Sequence, residues 1–239
     1  MTDSHDTEAS IDLNCDLGEG CPTDRDIIPL ISSANIACGF HAGDAETAFA
    51  TLYWAVEQGI RVGAHPGFPD KDNFGRKELS RSEKQIFQDC VYQIGALQGL
   101  AKAAGTELSY VKAHGALYNM ACRLPEYARP VVKATALFQL PVLGLPGSQL
   151  EILSEGQCRF VAEGFADRRY QADGTLVPRS QSDAMLDNAD DALQQILWLK
   201  KERGVQTICV HGDNPLALTF LGHLRTALEQ HNIAIKPFV

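Results

Sequence analysis

Four glycines set the rhythm of this chain. Gly59, Gly105, Gly156 and Gly204 each follow a helical pattern and sit just before a short apolar or β-branched run. A helix that closes on a left-handed residue favours glycine there, so each marks a helix stop that feeds a strand. Seven such runs recur, at residues 11–14, 35–38, 60–64, 108–113, 142–145, 159–163 and 206–211. Helix starts are punctuated too. Asp44 suits an N-cap ahead of Ala45, Ala48, Phe49, Leu52 and Val56, and Asn214 suits one ahead of Pro215. Ser80 with Glu83, and Ser148 with Glu151, fit capping boxes. Helix, glycine, strand and polar loop in that order describe right-handed βα units and a parallel sheet. Seven units in 239 residues average about 34 residues each, in keeping with crossover units of roughly 30 or more.

The sheet is expected to close. No GxGxxG follows the first strand and no GxxxxGK[ST] occurs, so the nucleotide fingerprints of open sheets are missing. Polar residues instead end nearly every strand, as in a barrel whose mouth collects side chains from many strands. We therefore expect one irregular, seven-stranded (β/α) barrel over residues 11–239, with residues 1–10 a flexible polar tail. The segment 65–79 is long for a βα loop and reads as a functional flap or a surface excursion. The net charge of −9 leaves no basic stripe for nucleic acid. No basic, apolar leader and no uninterrupted apolar span points to a membrane. Seven cysteines without a CxxC pair read as free thiols of the cytoplasm.

Strand alternation locates the chemistry. Asp12, Asn14 and Asp16 share one face of the first strand, opposite Ile11, Leu13 and Cys15. Parallel strands in α/β proteins are normally apolar on both faces. The same departure recurs at Tyr110, Lys112 and His114, at Glu163, and at Cys209, His211 and Asp213. The following loops add Glu19, His41, Asp44, His65, Asp167 and Arg168, and the long loop adds Arg76. An ammonium at Lys112, facing a barrel interior, needs a carboxylate or an anionic ligand. His211 with Asp213 suits a general base with its orienting carboxylate, or two metal ligands. Glu163 and Asp167 suit acid–base work, and Arg76 a carboxylate clamp. Plainer roles exist as well. Asp44 can simply cap a helix, Asp12 can brace loop amides, and Asp16 and Glu19 can shape the turn around Gly18 and Gly20. The chemistry alone describes a barrel hydrolase or transferase acting on a small polar or anionic substrate.

Six stretches in order carry a resemblance: IDLNCDLGEG, SANIACGFHAGD, GAHPGFPD with NFGR, YVKAHGALYN, EGFADRRY and CVHGD. They resemble the 5-oxoprolinase A-subunit family of lactam-utilisation proteins, from about Ile11 to the end. The resemblance implies a glycoside hydrolase/deacetylase-like β/α barrel. It implies one component of an ATP-dependent enzyme that opens 5-oxo-L-proline to L-glutamate with release of ADP and phosphate. ATP would be a co-substrate with Mg2+, and two further 5-oxoprolinase subunits (B and C) would be partners. The family's motif residues fall on Lys112, His114, Glu163, Asp167, His211 and Asp213, expected to be catalytic. They also fall on Asp16, Glu19, His41, Asp44, His65, Arg76, Asn119 and Arg168, expected to bind substrate. Ala113 stands where the family commonly has Pro, a change that a strand end tolerates. Two other classes stay open: a metal-dependent amide hydrolase with a divalent ion among His41, His65, His211 and an Asp, and a non-catalytic substrate-handling scaffold.

Overall fold

The computed structural model describes residues 10–171, 174–179 and 181–239. The expected tail thus lies outside the described residues, apart from Ser10, which opens the first strand. The strands are β1 (Ser10–Leu17), β2 (Ser33–Ala37), β3 (Arg61–His65), β4 (Leu108–Val111), β5 (Val142–Gly144), β6 (Phe160–Phe165), β7 (Thr207–His211) and β8 (Ala234–Ile235). The helices are α1 (Asp24–Ile27), α2 (Ala45–Glu57), α3 (Glu83–Ala103), α4 (Gly115–Arg123), α5 (Pro125–Leu137), α6 (Gln149–Ser154), α7 (Ala189–Arg203) and α8 (Ala217–Gln230).

The first seven strands pair in parallel, β2 through β7 in sequence order and then β1 beside β7. β1 also pairs with β2, with Asn14 opposite Ser33, which closes the barrel. The eighth strand has only two residues and lies along Ser10 and Ile11 at the start of β1. It is too short to show any alternation, and the sequence pattern missed it.

Helix ends follow local chemistry. Gly59, Gly105, Gly156 and Gly204 all adopt positive φ, between 64° and 82°. Asp44 accepts the Thr47 amide at 2.8 Å and caps α2. The capping box of α3 is formed by Ser82 and Gln85, not Ser80 and Glu83, because the chain stays extended for two more residues. Likewise α8 begins at Ala217, with Asn214 closing a turn onto the Leu216 amide before it. Ser148 accepts the Glu151 amide, but the Glu151 carboxylate reaches Gly147.

This barrel is apolar outside and polar inside. Leu13, Leu17, Ile36, Val62 and Val111 are buried in the apolar layer between strands and helices. The floor of the barrel is a small apolar plug, with Tyr110, Leu143 and Val161 covered by Phe238. A Cβ at Gly63 would lie 2.2 Å from the Tyr110 ring, so glycine there makes room for the plug. Asp12 accepts the hydroxyls of Ser32, Ser33 and Thr207, which corrects the expectation that it braces loop amides. Burial pushes its carboxyl up to about 6, against the opposing hydroxyl donors. All seven cysteines are unpaired, and no helix among the described residues is long and apolar enough to cross a membrane.

Candidate active site

Three groups of side chains meet at the C-terminal end of the barrel. The central one surrounds Lys112, just past β4. Its Nζ lies 2.9 Å from Asp16 Oδ1, 3.0 Å from Glu163 Oε1, 3.2 Å from Asn14 Oδ1 and 2.9 Å from Cys209 Sγ. Burial opposes a charged lysine, yet the carboxylates of Asp16 and Glu163, with a hydrogen bond to the Cys209 sulfur, hold the ammonium well above its ordinary range. Burial also opposes an ionised Asp16, but His65 and Lys112 hold that carboxyl well below the usual range. Burial and the neighbouring Asp16 push the Cys209 thiol well up, so it stays protonated. Asn35 completes the group by donating to Asn14 and Asp16, both at 2.7 Å.

The second group is a wall of three histidines and one acid. His41 Nε2 lies 3.3 Å from Glu19 Oε1, and His114 Nδ1 lies 3.3 Å from the same oxygen. His65 Nε2 stands 3.0 Å from His114 Nδ1 and 3.5 Å from Asp16 Oδ2. All of these residues are buried. Burial, reinforced by Asp16, pushes the Glu19 carboxyl well up. Burial and the neighbouring rings push His41 and His114 well down. Gly75 of the long loop is wedged against this wall, where a Cβ would meet His41 Cβ at 2.6 Å. The loop is therefore part of the site and not a surface excursion.

The third group corrects an expected pairing. The carboxylate that orients His211 is Asp167, not Asp213. Asp167 accepts from the His211 backbone amide at 3.0 Å and stands 3.0 Å from Nδ1. Burial disfavours its charge, but His211 holds the Asp167 carboxyl below the usual range. Phe165 stacks on the imidazole, with centroids 5.4 Å apart and planes at 17°. Asp213 instead forms an ion pair with Arg76, tying the long loop to the end of β7.

Asp16 and Lys112 of the first group, His65 and His114 of the second, and Phe165 and His211 of the third line a cavity of about 660 Å³. Arg76, Arg168 and Arg179 form a cationic part of its wall. Burial and the proximity of Arg179 push the Arg168 guanidinium down to about 10. Asn119 lies exposed on α4 at the edge of the cavity. Asp44 is exposed at the start of α2, does not line the cavity, and acts there as an N-cap. Sequence reasoning placed Cys209 on the polar face with His211 but gave it no role, and it did not single out Asn35 or Arg179. Asn35 was visible as a polar residue in the middle of an apolar strand. Arg179 lies in irregular chain and left no periodic signal. Chemically, the site combines an oriented histidine, a buried ammonium and a cationic wall suited to an anion.

Residues 11–239 match the sequence pattern of the LamB/YcsF family. The A subunit of 5-oxoprolinase from Tolumonas auensis is 46% identical over 248 residues, covering 95% of this chain and 99% of that protein. The lactam utilization protein of Thermus thermophilus is 38% identical, with a TM-score of 0.89 over 96% of this chain and 100% of that one. The catalytic domain of a peptidoglycan N-acetylglucosamine deacetylase from Eubacterium rectale shares the fold, with a TM-score of 0.56 at 10% identity over 96% of this chain and 88% of that one. The closed barrel, the residues gathered at its mouth and the near full-length sequence match agree: the chain belongs to the LamB/YcsF family.

Proposed function

We propose that this chain is the A subunit of an ATP-dependent 5-oxoprolinase, opening 5-oxo-L-proline to L-glutamate in the cytoplasm together with the B and C subunits. The observation that carries the reading is the His211–Asp167 pair beside a cavity with a cationic wall. Its support from relatives is the name of the 46% identical Tolumonas protein.

Amide resonance makes a lactam carbonyl a poor electrophile. Transfer of the ATP γ-phosphoryl group to the lactam oxygen, with Mg2+ balancing the nucleotide's charge, gives that carbon a phosphate leaving group. Arg168, Arg179 and Arg76 face the resulting negative charge, and the Lys112 ammonium adds a fixed positive field beneath it. Asp167 holds His211 Nδ1, leaving Nε2 to take a proton from the attacking water. The imidazolium then returns that proton to the ring nitrogen as the C–N bond breaks, leaving an acyl phosphate that a second water cleaves to the new carboxylate and phosphate. Asp167 is held ionised by His211 and is thus a positioning residue, not the acid. Glu163 is committed to Lys112.

The test is reconstitution with the two partner subunits, following glutamate release from 5-oxoproline and ATP. H211N and K112A are expected to lose turnover. No glutamate from the wild-type complex overturns the substrate, and unimpaired variants overturn the site. Turnover by the chain alone without ATP favours a stand-alone amide hydrolase.

A further inference from the structure

Two histidine nitrogens face each other in the mouth with their hydrogens committed elsewhere. His65 Nδ1 lies 2.8 Å from the Lys112 carbonyl oxygen, and His114 Nε2 lies 2.8 Å from the Phe74 carbonyl oxygen. A carbonyl oxygen only accepts, so each of these nitrogens carries its ring's hydrogen. In the neutral rings, His65 Nε2 and His114 Nδ1 are then both lone pairs, and they stand 3.0 Å apart. Glu19 Oε1 lies 3.3 Å from the second and 4.0 Å from the first. Asp16 Oδ2 lies 3.5 Å from His65 Nε2. Two such lone pairs repel unless a proton or a metal cation lies between them.

We propose that His65 Nε2, His114 Nδ1 and Glu19 bind one divalent transition-metal ion, Zn2+ being the best match to the donors, with Asp16 beside it. Bond lengths of about 2.0–2.1 Å in a tetrahedral site place neighbouring ligand atoms roughly 3.3 Å apart. The three gaps here are 3.0, 3.3 and 4.0 Å. Two imidazoles and a carboxylate form a donor set for zinc and its first-row neighbours, with positions left open toward the cavity. Both imidazoles also donate their far hydrogen to a backbone carbonyl, the outer-shell bond that fixes a metal-binding tautomer.

The same geometry excludes two neighbours. The His41 ring lies parallel to His114, with centroids 3.8 Å apart and planes at 5°. An ion in the plane of His114 is out of the plane of His41, so His41 orients Glu19 instead of binding. The nearby trio of Asp16, Cys209 and His211 is another convergent set. It already encloses a cation, the Lys112 ammonium, 2.9 Å from both Asp16 and Cys209.

Metal binding is read on the chain alone, without substrate or partners, so its failure is separable from failure of the lactam reading. The full chain, stripped with a chelator, is titrated with ZnCl2 in a calorimeter and with Co2+ by visible absorption. One equivalent is expected to bind. H65A, H114A and E19Q are expected to weaken binding by at least ~100-fold, the upper end of losses seen for outer-shell partners alone. H211N and the exposed H223A are expected to keep it. Near-UV circular dichroism checks that each variant is folded, and E19Q preserves size and shape should the alanines not fold. Absence of stoichiometric binding, wild-type affinity in folded E19Q, or loss of binding in H211N overturns the proposal.

Discussion

The ammonium of Lys112 and the carboxylate of Glu163 meet at 3.0 Å in the interior of the barrel, both buried. Asp16 completes a triad of one cation and two anions. Removing the cation leaves two uncompensated carboxylates away from water. We expect K112M to cost about 3–5 kcal/mol of stability, measured by urea denaturation. The double variant K112M/E163Q should recover part of that loss. A K112M protein as stable as wild type would show that the triad is not electrostatically linked.

Steric fit governs the other end of the barrel. Gly63 leaves the space that the Tyr110 ring fills. Adding a methyl group there forces an overpacked core, and G63A should lose about 1–3 kcal/mol or more. Shrinking the ring should restore much of it, so G63A/Y110L is expected to exceed G63A in thermal midpoint. Additive losses would refute the contact.

The pH dependence of stability should carry the mark of Asp12. Its folded-state value near 6 lies above the ordinary 3.8, because burial favours the neutral acid. The native protein then binds this proton more tightly than the unfolded chain does. Its contribution is greatest below about pH 4 and is lost as pH rises through 6. The stability of wild type relative to D12N should fall by up to about 3 kcal/mol between pH 4 and 7. A flat difference would show that the Ser32, Ser33 and Thr207 hydroxyls keep Asp12 ionised.

Asp167 offers a test of positioning. D167N keeps the shape but replaces the ionised partner of His211 Nδ1 with an amide. In the reconstituted complex, kcat should fall roughly 100- to 10,000-fold, the usual reach of acid–base catalysis, with KM changing far less. D213N, which loosens the contacts to Arg76 and Arg179, should instead act mainly on KM. The reverse pattern would return the orienting role to Asp213.

Much of this organisation was legible in the residues themselves. The four helix-ending glycines and the polar faces of β1, β4 and β7 are consequences of local backbone geometry, so sequence spacing reveals them. Which acid meets which base is different. His211 and Asp213 are one strand period apart, yet His211 turns to Asp167 under the stacked ring of Phe165. Glu19, His41, His65 and His114 come from the C-terminal ends of four different strands or the loops just after them, and meet only once the barrel closes. The two-residue β8 and the shifted box at Ser82 are set by tertiary pairing and chain direction, which local preference cannot specify.

The wedge at Gly75 bears on how the mouth is held. The Gly75 carbonyl accepts the Ala116 amide at 3.0 Å, and its α-carbon is pressed between His41 and His114. Swinging the 65–79 loop outward would break that bond and pull a supporting stone from beneath two imidazoles. The loop is thus the fixed jaw of the mouth. Arg168 and Arg179 line the same cavity as Lys112 and His211, so an anion held there shares the space with two guanidinium groups.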